Sequence, residues 1–105
     1  MMDPLYYPRY DHVRVVIFWD EVAWVAIGLE FHICGQGDNV DAALSDWRRT
    51  FDGEIRLREQ FKEAMEDHIM KAPDTYWERF EASREYQTLL CEDENVRTLE
   101  VRVEP

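Results

Sequence analysis

Positive charge is scarce in this sequence. Its 105 residues hold 12 Lys and Arg against 23 Asp and Glu, for a formal net charge of -11. Such an excess repels nucleic-acid phosphates and anionic membrane surfaces, so direct binding to either is not expected, and a cationic macromolecule is the natural complement. Long apolar runs are missing too, and a membrane-spanning helix needs about 18 consecutive apolar residues or more. Ser45 and Ser83 are the only serines, and neither sits in the Gly-x-Ser-x-Gly frame of a nucleophile elbow. Cys34 and Cys91 are the only cysteines and have no metal-type spacing. Two reduced thiols in a cytoplasmic setting are therefore expected. The opening MMDPLYYPRYDH lacks the basic start and apolar stretch of a secretory leader. Its prolines and tyrosines point instead to an extended arm over residues 1–10.

What is present is enough for one packed domain. Apolar residues make up 46% of the chain and aromatics 13%, which argues against disorder despite the charge. HVRVVIFWD alternates, with Val13, Val15, Ile17 and Trp19 on one face and largely apolar residues on the other, as in a central strand covered on two sides. Asp20 and Glu21 break it, and VAWVAIGLEF reads as a second strand, making an antiparallel hairpin. A third, short strand is expected over 31–34, followed by a Gly35-Gln36-Gly37-Asp38 corner. Asn39 is placed to cap a helix in which Val40, Ala43 or Leu44, Trp47, Phe51 and Ile55 form one apolar stripe. The stripe changes phase at Gly53, where Leu57, Phe61, Ala64 or Met65 and Ile69 take over. That predicts either a break or a rotated continuation ending before Pro73. Thr75 and Glu78 have capping-box spacing before a further helix. Leu99, Val101 and Val103 alternate with Glu100, Arg102 and Glu104, predicting a closing strand with one face in water, in the manner of an edge.

Catalytic patterns are weak. His32 and Cys34 fall two apart and could share a metal with Asp38 or His12, but a zinc site needs three or four converging ligands. Asp11, Asp20, Glu30 and Asp38 could hold magnesium for phosphodiester hydrolysis, yet they fall at strand ends and turns where acids are common. Gly35-Gln36-Gly37 is not followed by Lys-Ser/Thr, so it is no phosphate loop. Arg48, Arg49, Arg56 and Arg58 are interleaved with Asp46, Asp52, Glu54 and Glu59, as on a solvated helix with local ion pairs. No metal or cofactor is expected.

WVAIGLEFHICGQGDNVDAALSDW resembles the N-terminal domain of HicB-type antitoxins and their orphan relatives, through Ala26, Leu29, Glu30, Gln36, Gly37, Asp38, Asn39, Asp41, Ala42 and Ala43. The likeness spans about residues 13–55, with Asn39 where that family usually carries Thr. It implies a degraded ribonuclease-H-like sheet without nuclease activity, a small basic toxin as partner, and a homodimer. Residues 56–105 have no basic recognition helix to support operator binding.

The expectation is thus a single α+β domain over 1–105: a small antiparallel sheet of three N-terminal strands and one C-terminal strand, with helices packed on one face. The expected function is non-catalytic sequestration of a basic, toxin-like protein. Trp47, Tyr76, Trp77 and Phe80 are the candidate partner anchors, since aromatics dominate interfaces. The alternatives are an acidic nucleic-acid mimic that inhibits a nucleic-acid enzyme, and a metal-dependent nuclease.

Overall fold

A computed structural model describes residues 10–83, 87–93 and 95–104. The expected arm lies outside the described residues, except Tyr10, which opens β1. The chain runs β1 (Tyr10–Trp19), β2 (Trp24–Gly28), β3 (Cys34–Gly37), α1 (Val40–Gln60), a 3₁₀ turn (Met65–Asp67), α2 (Asp74–Ala82), β4 (Gln87–Asp93) and β5 (Val96–Val103). The strands form one sheet in the order β3-β2-β1-β5-β4.

The α+β class and the N-terminal hairpin are as expected, while strand direction, strand order and the placing of the helices differ. The sheet is mixed rather than antiparallel: β5 lies parallel to β1, with Val13 beside Leu99 and Val15 beside Val101. β5 is therefore internal, flanked on its other side by antiparallel β4, a strand not anticipated in the acidic stretch. The helices also pack on both faces. α1 covers one face with Ala43, Leu44, Trp47, Phe51 and Ile55, against Val13, Val15, Ile17, Ala26, Leu99, Val101 and Val103. α2 covers the other with Phe80, against Val16, Phe18, Ile27 and Leu29. The two-sided apolar pattern of β1 requires such a double cover, since a strand apolar on both faces is stable only when both are removed from water. Each fully buried large side chain contributes roughly 1.5–3 kcal/mol on this account.

The Gly-x-Gly stretch is itself strand β3, and residues 29–33 form the preceding loop. No glycine has positive φ, so Gly35 and Gly37 do not serve as turn residues. They serve through the side chain they lack. A Cβ on Gly35 would stand 2.7 Å from the Ala43 carbonyl oxygen and 2.8 Å from Trp47 Cα. One on Gly37 would stand 2.6 Å from Ala42 Cβ. The backbone of α1 thus lies directly on the edge strand.

Asn39 caps α1 as expected, its side-chain oxygen accepting from the Ala42 amide at 2.8 Å. Gly53 does not break the helix, because Phe51 and Ile55 on either side of it stay in the core. The second stripe does not form a helical face: α1 ends at Gln60, Leu57 and Phe61 are exposed, and of that set Met65 alone is fully buried, in the 3₁₀ turn. The segment after α1 then crosses to the opposite face, pinned by the His32 amide on the Met70 carbonyl (2.7 Å) and the Ala72 amide on the Leu29 carbonyl (2.8 Å). α2 then starts at Asp74, with its cap two residues ahead of Thr75. Pro73 holds the N-cap position and makes no side-chain cap.

Candidate functional site

The register places one end of the sheet in view. Trp19 pairs with Trp24, and Trp24 with Gly37, so these residues form the last row across β1, β2 and β3. Beyond the row lie the turn 20–23 and the 38–39 corner that starts α1. Trp19 and Trp24 pack edge to face, with ring centroids 5.9 Å apart. Trp19 remains 50% exposed and Val22 87% exposed, so this end carries apolar surface in water. Asp20 and Glu21 in the turn, Asp38 in the corner and Asp41 in the first turn of α1 stand at this end, all exposed. None of these four has an ion-pair partner among the described residues.

The turn is tight. The Asp20 amide donates to the Ala23 carbonyl at 2.9 Å, and the Val22 amide donates back to the Asp20 carbonyl at 2.6 Å. The residue enclosed by that two-residue bond, Glu21, has φ 62°. This combination marks the positive-φ form of the γ-turn, a strained arrangement for a residue with a side chain. Strain held at an exposed apolar tip is a feature that functional surfaces show.

Most arginines are committed elsewhere. Arg14 pairs with Glu30, Arg49 with Asp46, Arg58 with Glu54 and Glu63, Arg79 with Glu104, Arg97 with Asp11, and Arg102 with Glu100. These six arginines are thereby paired away from the turn end, whose four carboxylates stay anionic. Asp46 does more than pair. Its Oδ2 accepts from the Gln36 amide on edge strand β3 at 3.0 Å. That amide bond, with the Arg49 guanidinium behind it, holds the carboxyl below the usual aspartate range. It also removes one edge N–H from the reach of an added strand.

The anchors proposed from sequence fare differently. Trp47 and Phe80 are both 1% exposed and belong to the two cores, so they offer nothing to a partner. Tyr76 and Trp77 are half-buried on the α2 face. Tyr76 stacks on Phe18 at 6.3 Å, and Trp77 donates its indole N–H to the Ala72 carbonyl at 3.1 Å. The sequence reading missed Trp19, Val22 and Trp24. The signal was partial: a tryptophan stands on each side of residues 20–23, but a second strand read as starting at Val22 sets Trp19 against Val22, and only the four-residue turn sets it against Trp24.

The metal candidates do not converge. His12 Nε2 lies 2.9 Å from Glu100, and His32 packs beside Tyr76 with ring centroids 5.8 Å apart. Cys34 is a free thiol, exposed as a residue, yet partial burial pushes the thiol up from its ordinary value. Of the four carboxylates weighed for magnesium, Asp11 and Glu30 are bound to arginines, while Asp20 and Asp38 stand at the turn end. No group of three or more His, Cys, Asp or Glu able to hold a metal ion occurs among the described residues. An open groove of about 460 Å³ is lined by His32, Thr50, Glu54, His68 and Met70. Its charged walls are engaged: Glu63 bonds His68 at 2.6 Å and Arg58 at 2.8 Å, and Arg58 reaches Glu54 at 3.4 Å. No helix among the described residues is long and apolar enough to cross a membrane. No family model matches the chain, and neither the curated proteins nor the solved structures contain a significant match.

Proposed function

We propose that this chain is a non-catalytic binding protein whose acidic, tryptophan-bearing turn end holds a basic protein partner, as an antitoxin of the HicB type would hold its toxin. The observation that carries the reading is the coincidence at one end of the sheet of exposed Trp19 and Val22 with four carboxylates that lack internal cations. Apolar contact supplies affinity there, and unbalanced negative charge speeds encounter and selects the sign of the partner. The resemblance over residues 13–55 adds the small basic toxin as the class of partner.

The test is affinity capture from the native host with two baits, the wild-type chain and an Asp20→Asn, Glu21→Gln, Asp38→Asn variant. The expected result is a basic protein held by the wild type, released by moderate salt, and lost with the variant. Capture of the same protein by both baits would remove the turn end as the docking surface.

A further inference from the structure

One side-chain constellation occurs three times within this fold. The Arg14 guanidinium lies over the Trp77 ring, 5.9 Å from its centroid, and pairs with Glu30. Arg79 lies 3.5 Å from the Phe18 centroid and 2.8 Å from Glu104. Arg102 lies 4.1 Å from the Phe80 centroid and 3.0 Å from Glu100. Each guanidinium is thus held by an aromatic face and a carboxylate together, which suits a flat, weakly hydrated cation and not the compact, strongly hydrated ammonium of lysine.

The turn end has an exposed ring and, next to it in the chain, two carboxylates, but no cation. Trp19 is half exposed, Asp20 and Glu21 follow it directly, and no described Lys or Arg lies over Trp19 or Trp24. An edge-to-face pair covers at most one face of either indole. We infer that the missing cation comes from the partner: an arginine of the bound protein stacks on Trp19 and pairs with the carboxylates of Asp20 and Glu21, so that the surface selects arginine over lysine. This rests on the turn end being the docking surface, and it names the partner side chain that surface takes.

The experiment titrates the isotope-labelled full chain at low salt with hexa-arginine and with hexa-lysine, following the four tryptophan indole N–H signals by NMR. Hexa-arginine is expected to bind about threefold tighter or more, the equivalent of roughly 0.6 kcal/mol or more of ring contact. It should move the Trp19 and Trp24 indole signals and leave that of buried Trp47 in place. Trp19→Leu, which keeps the apolar bulk, should bring hexa-arginine down to the lysine level, whereas Glu21→Gln should weaken both peptides alike. Equal affinities, or a preference that survives Trp19→Leu, would overturn the arginine selection while leaving the acidic docking surface standing. If neither peptide moves either turn-end indole, the docking surface fails, and the inference fails with it.

Discussion

Replacing Gly35 by alanine should destabilise the protein, even though alanine is the better residue in most places. The new methyl group would meet backbone: the Ala43 carbonyl oxygen at 2.7 Å, Trp47 Cα at 2.8 Å, and the Trp47 amide nitrogen closer still. To restore carbon–carbon contact at about 3.5–4.0 Å, α1 must lift from β3 by roughly 1 Å. Lifting α1 loosens the layer beneath Trp47 and Phe51, and a gap of about 0.5–1 Å already forfeits a quarter to a half of each contact's attraction. Overpacking costs about 1–3 kcal/mol, and backbone obstacles with no rotamer to change put this site at the upper end. Removing glycine's chain entropy returns about 0.5–1 kcal/mol. The net loss is therefore about 2 kcal/mol, a fall in Tm of roughly 8–16 °C for a domain near this size. Gly53→Ala is the matched control. A Cβ there meets nothing within 4 Å, so the helix should gain about 1 kcal/mol. Urea melts followed by circular dichroism and tryptophan fluorescence give both midpoints at unchanged slope. A Gly35→Ala protein as stable as the wild type would refute the claim that α1 rests directly on the edge strand.

Other substitutions probe the caps, the strand edge and the core. Lys62 has φ 55° just past α1, where its amide bonds the Glu59 carbonyl at 3.0 Å and the next amide bonds Arg58 at 2.8 Å. This is the Schellman pattern that usually takes glycine, so Lys62→Gly should raise stability by about 1 kcal/mol in the same melts. The carboxyl of Asp46 is held low mainly by the Gln36 amide and next by Arg49, so its stabilising effect is complete above the ordinary value of 3.8 and is lost as pH falls through the lowered one. Asp46→Asn should accordingly flatten the acid limb of a stability–pH curve and leave less difference from wild type at the lowest pH; an unchanged acid limb would count against the edge cap. Phe51 is fully buried and stacked on Trp47 at 4.9 Å, so Phe51→Ala should cost about 3–5 kcal/mol, read by the denaturation midpoint.

Local pattern alone determined much of this protein. Alternation in 13–19 marks a strand that needs cover on both faces. The spacing of Leu44, Trp47, Phe51 and Ile55 marks one buried helix face, and Asn39 marks its start. These signals are legible because they depend on bonds and side chains within a few residues of one another. Chain-distant pairing is not encoded that way. Nothing near Leu99 says that its strand will run parallel to β1, or that β4 will flank it, since the same alternation serves either direction. Composition likewise marks Trp47 and Phe80 as large aromatics without saying that the two cores enclose them.

The turn end divides in the same way. The Trp-Asp-Glu succession and the excess of negative charge stand in the sequence. Only the tertiary structure draws Arg14 to Glu30 and Arg79 to Glu104, sets Gly37 beside Trp24, and leaves Trp19 and Val22 in water. Burial and charge pairing are properties of neighbours in space, and those neighbours are fixed only when the sheet closes across strands far apart in the chain.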